Sequence, residues 1–286
     1  MAILGGLGAA VAWAVTLLCT SRATRMVGSG SVLAWVMLTG FCIVVPWGSV
    51  VGIPNDLDRG SAAWLLTAGF GNILGLFLVY TALREGKVGI VGPIVSTEGA
   101  IAAVLAVLAG ESLAVGSAAM LVLIAVGIAL AATTVGSDDV SEVATAVERH
   151  RSVPVVALLA ACSFGTSIYA TARASAELPI AWAVAPPRIL GVLFVFLPLA
   201  ATSRLRLTRP ALPLVVTAGI AEVVGFALFA VGSRHGVAVA AVLASQFAAI
   251  AAVAAYFLFR ERLTRVQVAG VATVVIGVAV LTALQA

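Results

Sequence analysis

Charge is what this chain lacks most. Of 286 residues only 10% are Asp, Glu, Lys or Arg, against about 25% in an ordinary soluble domain. That deficit excludes a water-solvated globule. Cysteine is scarce as well: Cys19, Cys42 and Cys162 fall inside or at the ends of apolar runs, without metal-ligand spacing. No metal site is expected, and each cysteine is expected to pack in the core. His150 and His235 lie in or beside connections and are expected to be solvated. There is no HExxH, no glycine-rich phosphate loop with lysine, and no Ser/His/Asp set at plausible depth, so neither an enzyme nor a cofactor is indicated. The net charge of +4 sits largely on loop arginines. In a membrane protein such residues orient the chain rather than bind nucleic acid.

What fills the space is apolar sequence: 62% of residues are hydrophobic and the mean hydropathy is +1.18. A helix crosses a ~30 Å hydrocarbon layer in about 20 apolar residues. Ten runs of that kind follow one another, at 2–20, 30–51, 61–82, 88–109, 112–134, 153–172, 179–201, 211–231, 235–258 and 264–284. Most connections are too short to hide a soluble domain. Runs such as "AMLVLIAVGIALAA" do not alternate apolar with polar residues, which excludes a β-barrel. The opening "MAILGGLGAAVAWAVTLLCTSRATR" lacks the positive n-region of a signal peptide and reads as a retained first span. The expected class is an all-α, multi-pass protein of the cell membrane with the lipid bilayer as its solvent. Twelve Lys/Arg residues lie on odd-numbered connections and three on even ones. By the positive-inside rule this asymmetry favours both termini outside.

The chain is also written twice. A shift of 150 residues superposes 67–132 on 217–282, with fourteen identities among 66 positions. "TAGFGNILGLFL" meets "TAGIAEVVGFAL", "REG" meets "RHG", and "GESL" meets "RERL". Each copy holds five spans, an odd number, so the second must enter the membrane in the opposite sense to the first. The expected organisation is one five-helix repeat over 1–135, a charged linker over 136–152, and a second repeat over 153–286. Two similar halves facing opposite ways are a physical route to alternating access.

These residues resemble a known family. Pro93, Gly110, Glu111, Leu113 and Gly127 in the first copy, and Glu261, Leu263, Gln267, Gly270 and Gly277 in the second, resemble the EamA repeats of the drug/metabolite transporter superfamily. Two departures stand out. Leu243 occupies the place of Pro93 in the second copy, and the arginine often found in the family's second span is present as Arg188 but missing from the first copy, where Phe41 or a neighbour stands. The resemblance implies a secondary transporter, as exporter, of a small molecule: an amino acid, a related metabolite or a drug-like compound. Relatives are often drawn with termini inside. The alternatives from other classes are a channel or facilitative pore on the same repeat and, further off, a membrane-embedded enzyme. Ten spans suffice to surround a site as a monomer, and a homodimer is equally compatible.

Several spans carry polar residues near their middles: Asn72, Glu98, Arg188, Glu222 and Gln246. A charge at the centre of a membrane helix lies about 2.5–3.5 kcal/mol uphill on insertion scales, so something must compensate. Asn72 and Glu222 are repeat equivalents, and each has a glycine three residues away on both sides, Gly69 and Gly75, Gly219 and Gly225. At about 100° per residue each polar group shares a narrow face with glycines that admit a neighbouring backbone. Pro93 precedes Glu98, and Pro186 and Pro187 precede Arg188; prolines inside helices break or kink them, and interrupted spans are where transporters form their sites. With no proline in the second copy's fourth span, the site is expected to be asymmetric. Two glutamates and one arginine leave one carboxylate unpaired. Arg188 is expected to neutralise one of Glu98 and Glu222, leaving the other to exchange a proton; the same trio would also bind a zwitterion. A purely structural role, with Arg–Glu, Asn and Gln stapling helices, competes with that reading. For Glu111 and Glu261 a helix-end charge pair is expected.

Overall fold

The computed structural model describes residues 1–54, 57–85, 88–112, 114–132 and 152–259, with isolated positions of a further helical stretch between 266 and 280. All regular structure among the described residues is helical. The first half contains α1 (Ala2–Val27), α2 (Ser29–Val51), α3 (Arg59–Glu85), α4 (Val88–Val95), α5 (Glu98–Leu108) and α6 (Val115–Ala132). The second contains α7 (Ser152–Glu177), α8 (Ile180–Gly191), a π-helical segment (Val192–Phe196), α9 (Leu197–Ala201), α10 (Ala211–Ser233), α11 (Val237–Ala244) and α12 (Phe247–Phe259). Among the described residues six stretches are long and apolar enough to cross a bilayer: α1, α2, α3, α7, α10 and the continuous run Ile180–Ala201. The chain is therefore an all-helical, multi-pass integral membrane protein. The pairs α4–α5 and α11–α12 are each one expected span broken in the middle. Nine of the ten expected spans are accounted for; 264–284 falls largely outside the described residues, as does nearly all of the linker 136–152.

Helix ends follow local chemistry. Gly28, with φ 86°, closes α1 by donating its N–H to Thr24 O at 3.0 Å and then starts α2 directly; only glycine takes that φ without strain. Gly236, at φ 142°, plays the same part before α11.

Both faces of the long helices are apolar, so inside and outside are told apart by size and polarity rather than by hydrophobicity. On α3, Leu66, Phe70, Leu74 and Phe77 form an exposed stripe, and on α10 Val216, Ile220, Val224 and Leu228 form another, both at helical spacing. These stripes face acyl chains. Opposite them, Asn72, Leu76 and Tyr80 on α3 and Glu222, Phe226 and Phe229 on α10 are buried.

Helix packing recurs under exchange of the two halves. α1 lies along α10 as α7 lies along α3, α1 touches α11 and α12 as α7 touches α4 and α5, and α2 touches α10 as α8 touches α3. The contact α2–α8 joins equivalent elements across the halves, and α5–α11 joins the second part of the fourth span to the first part of the ninth. Glycines make these approaches close. A Cβ on Gly75 would lie 2.6 Å from Phe164 Cδ1, and one on Gly225 would lie 2.5 Å from Trp13 Nε1. A Cβ on Gly69 would meet Leu190 and Pro186 of α8, and one on Gly219 would meet Thr39 and Val36 of α2. The four glycines flanking Asn72 and Glu222 are thus the seats of four crossing helices.

Candidate functional site

The fourth and ninth spans break with one hydrogen-bond pattern. Ser96 N donates to Gly92 O (2.9 Å), Thr97 N falls back to Ile94 O (3.2 Å), and Ile101 N bonds Thr97 O (3.1 Å). In the other half Ser245 N donates to Ala241 O (3.0 Å), Gln246 N to Leu243 O (3.3 Å), and Ile250 N to Gln246 O (3.0 Å). The matching offset is 149, one less than the offset that aligns the flanking glycines and Glu111 with Glu261. One reading is thereby corrected. Leu243 corresponds to Ile94 rather than to Pro93, whose counterpart is Val242, and the break itself forms with or without proline. A one-residue shift within nearly uniform Ala, Val and Leu is invisible to sequence matching.

In this register the first residue of α5 is Glu98 and the first residue of α12 is Phe247. Glu98 therefore sits on the N-terminal turn of a half-helix, where free N–H groups and the helix dipole favour negative charge. It is 4% exposed, and among the described residues no donor is hydrogen-bonded to its carboxylate.

Arg188, Asn72 and Glu222 meet directly. Arg188 Nη1 donates to Asn72 Oδ1 (3.2 Å), Asn72 Nδ2 donates to Glu222 Oε1 (3.4 Å), and Arg188 Nη2 lies 3.9 Å from Glu222 Oε1. The ion pair is beyond hydrogen-bond reach, and Asn72 bridges it. The guanidinium is fully buried, with the ring of Phe226 5.4 Å from its carbon and Met37 Sδ 3.8 Å from Nη1. Arg188 Nε and Nη2 have no hydrogen-bond partner. A Cβ on Gly40 would fall 2.7 Å from Arg188 Cδ, so the first copy's second span carries glycine, next to Phe41, where the single arginine needs room.

Beside this network lies a small cavity of about 50 Å³. Glu98 and Glu222 line it, with Trp13, Thr16, Thr20, Tyr80, Phe164, Phe226 and Phe247 and several aliphatic side chains. Arg188 and Asn72 stand behind Glu222 and do not line it. Gln246 is buried at the break of the ninth span, its Nε2 unpartnered, and also stands off the cavity. α8 runs on through Pro186 and Pro187, and the irregular π segment begins four residues after Arg188 closes its last turn, at Val192. Pro93 lies within α4, three residues ahead of the interruption. Sequence reasoning missed Tyr80, Phe226, Trp13, Thr16 and Thr20. The first two were within reach, because Tyr80 lies eight residues after Asn72 and Phe226 four after Glu222, on the same helix faces.

The family model for the EamA-like transporter family matches the chain twice, over residues 1–133 and 152–283. The chain belongs to the EamA-like transporter family. That family is one of membrane transporters, and its fold points to the transport of small solutes. A protein of known crystal structure, 19% identical, aligns over 99% of this chain and 97% of its own with a TM-score of 0.73, which fixes the fold alone. No match was found among curated proteins. Other residues of this EamA-like chain find roles that the sequence did not disclose. Glu111 forms no helix-end charge pair among the described residues; its carboxylate accepts from the N–H groups of Val237 and Ala238 (3.2 Å each), capping α11 across the halves. Arg234 donates to the carbonyls of Ser175 (2.7 Å) and Leu178 (2.8 Å) at the end of α7. Cys42 and Cys162 are exposed rather than core residues, and Cys19 is half-buried. Glu261, Leu263, Gln267 and His150 lie outside the described residues.

Proposed function

We propose that this protein is a secondary carrier that moves a small metabolite out of the cell by alternating access of two inverted five-helix halves, with Glu98 exchanging a proton. The reciprocal packing of the two halves supports the inverted arrangement. The single observation that carries the coupling is a charge imbalance in the interior: Arg188 pairs with Glu222 through Asn72, and Glu98 has no partner among the described residues. A carboxylate shut away from water disfavours its charged form. It becomes useful when each opening of the site returns it to solvent on one side or the other. Arg188, Asn72 and Glu222 then act as the fixed wall against which the two halves rock, and the breaks at Ser96–Thr97 and Ser245–Gln246 as the points where half-helices tilt.

Glu98 thus takes the proton-exchanging part and Glu222 the neutralised one. A pore on the same repeat would need a continuous polar lining, whereas the cavity here is mainly apolar. The test is transport in proteoliposomes under an imposed pH gradient. The wild-type protein is expected to show saturable uptake and counterflow; Glu98→Gln should retain counterflow while losing its response to the gradient. Unitary currents would favour a pore, and a gradient response that survives in Glu98→Gln would remove the coupling role of this residue.

A further inference from the structure

The polar atoms that the cavity wall offers are nearly all acceptors. Thr16 Oγ1 donates to Ala12 O (3.3 Å), with Ala218 O a second partner at 3.4 Å, and Thr20 Oγ1 donates to Thr16 O (2.8 Å), so both hydroxyls keep only lone pairs for a guest. Glu222 receives the amide of Asn72 on Oε1. Glu98 offers a carboxylate that accepts from no donor among the described residues, and Tyr80 Oη, buried without a partner, can donate as well as accept. The unpartnered Trp13 Nε1 and the Tyr80 hydroxyl are the exceptions, and the indole N–H is turned to Gly225, whose Cβ would sit 2.5 Å from it. The rest of the wall is Phe164, Phe226, Phe247, the Trp13 ring and aliphatic groups.

An anionic group finds no facing cation here. The positive end of α5 already holds Glu98, and the positive end of α12 meets the cavity with the phenyl ring of Phe247. The fixed cation, Arg188, is fully buried, and Glu222 and Phe226, which both touch it and both line the cavity, cover it. Resting on the carrier reading above, we infer that the cargo is an amphipathic monocation: an amine or quaternary ammonium on a compact apolar or aromatic body. Its charged head faces Glu98, its body packs on the aromatic wall where ring faces attract cations, and the zwitterion suggested by residue types alone is refused. Proton and cargo then compete for one carboxylate, which makes the carrier an exchanger. The other titratable groups on this wall are Glu222 and Tyr80, from α10 and α3; α11, packed on α5, presents none, and Tyr169 of α7 stacks on Trp64 away from the cavity.

Three probes with one aromatic body separate the alternatives: benzyltrimethylammonium, phenylalanine and 3-phenylpropionate, titrated calorimetrically into the purified full chain. The cation should bind, and the zwitterion and anion should bind at least about tenfold more weakly. Glu98→Gln, checked for a monodisperse elution profile, should weaken the cation by about tenfold or more, and Glu98→Asp should restore part of it. Should Glu98→Gln fail to fold, the wild-type protein decides: cation affinity should drop about tenfold from about pH 8 to about pH 5 as protons compete. Equal or tighter binding of phenylalanine, or cation affinity indifferent to both Glu98 and pH, overturns the inference. Counterflow of phenylalanine without cation binding would do so while leaving the carrier reading intact; cation binding without counterflow would do the reverse.

Discussion

Glu98 opens α5 and Phe247 opens α12, at matching stations of two spans that break with the same hydrogen-bond pattern. One presents a carboxylate to the cavity and the other a phenyl ring. The comparison separates what the fold needs from what it tolerates. The break does not need proline, since Val242 stands where Pro93 does, and it does not need a polar residue at the new helix start, since phenylalanine serves. Glu98 is therefore not there to hold the backbone. A charge costing about 2.5–3.5 kcal/mol at a membrane helix centre, with no structural task its counterpart cannot do, is explained by a task of another kind.

The largest break in this comparison is expected between the two acidic walls. Arg188→Leu strips Glu222 of its compensating charge inside the bundle and should destabilise the protein by about 3–5 kcal/mol. The double variant Arg188→Leu/Glu222→Leu should recover more than half of that loss. Glu98→Gln, by contrast, removes a carboxylate without a partner and should leave thermal unfolding in detergent unchanged or raised. If Glu98→Gln were as damaging as Arg188→Leu, the distinction between a paired and an unpaired carboxylate would fail. Next come the helix crossings: Gly75→Ala pushes into Phe164 and Gly225→Ala into Trp13. Each should cost about 1–3 kcal/mol by overpacking and, because both aromatic rings line the cavity, should also weaken ligand binding. Equal effects at the two glycines would sharpen the correspondence of the halves, and a harmless change at one would limit it. Smaller again is Glu111→Ala, which frees two N–H groups at the start of α11 and should cost about 1 kcal/mol, seen as faster amide exchange at Val237 and Ala238.

How far the sequence could be read follows from the same contrasts. Spans were legible because a membrane helix needs a long apolar run, and the buried polar residues because they are expensive there. The pairing of Arg188 with Glu222 rather than Glu98 was not legible: spacing places Asn72 and Glu222 on equivalent faces, but only packing shows that those faces meet. The breaks were half legible. Pro93 pointed to one, and nothing in "AVAAVLASQFAAIAA" pointed to the other, whose backbone turns at Ser245–Gln246 without a proline. The capping role of Glu111 was hidden because its partners are backbone groups 126 and 127 residues away, and backbone groups leave no mark in sequence.

The smallest effect concerns a third acidic residue at a helix start, this one in water. Asp58 is exposed just before α3, and its Oδ1 accepts the N–H of Ser61 at 2.7 Å, holding its carboxyl below the usual range. Ser61 Oγ continues to Glu177 Oε2 at 3.0 Å, tying the start of α3 to the end of α7. A carboxyl lowered by folding adds stability that is present above its unfolded value, about 3.9, and disappears as pH falls through the folded one. Asp58→Asn should accordingly speed amide exchange at Ser61 slightly near neutral pH and make no difference in strong acid, where the wild-type carboxyl is protonated too. Water screens this interaction, so the change should stay well below that of Glu111→Ala. An effect of Asp58→Asn that persists in acid would show that the side chain's shape, and not its charge, caps the helix, and would take away the contrast with Glu98, where charge without a cap is the point.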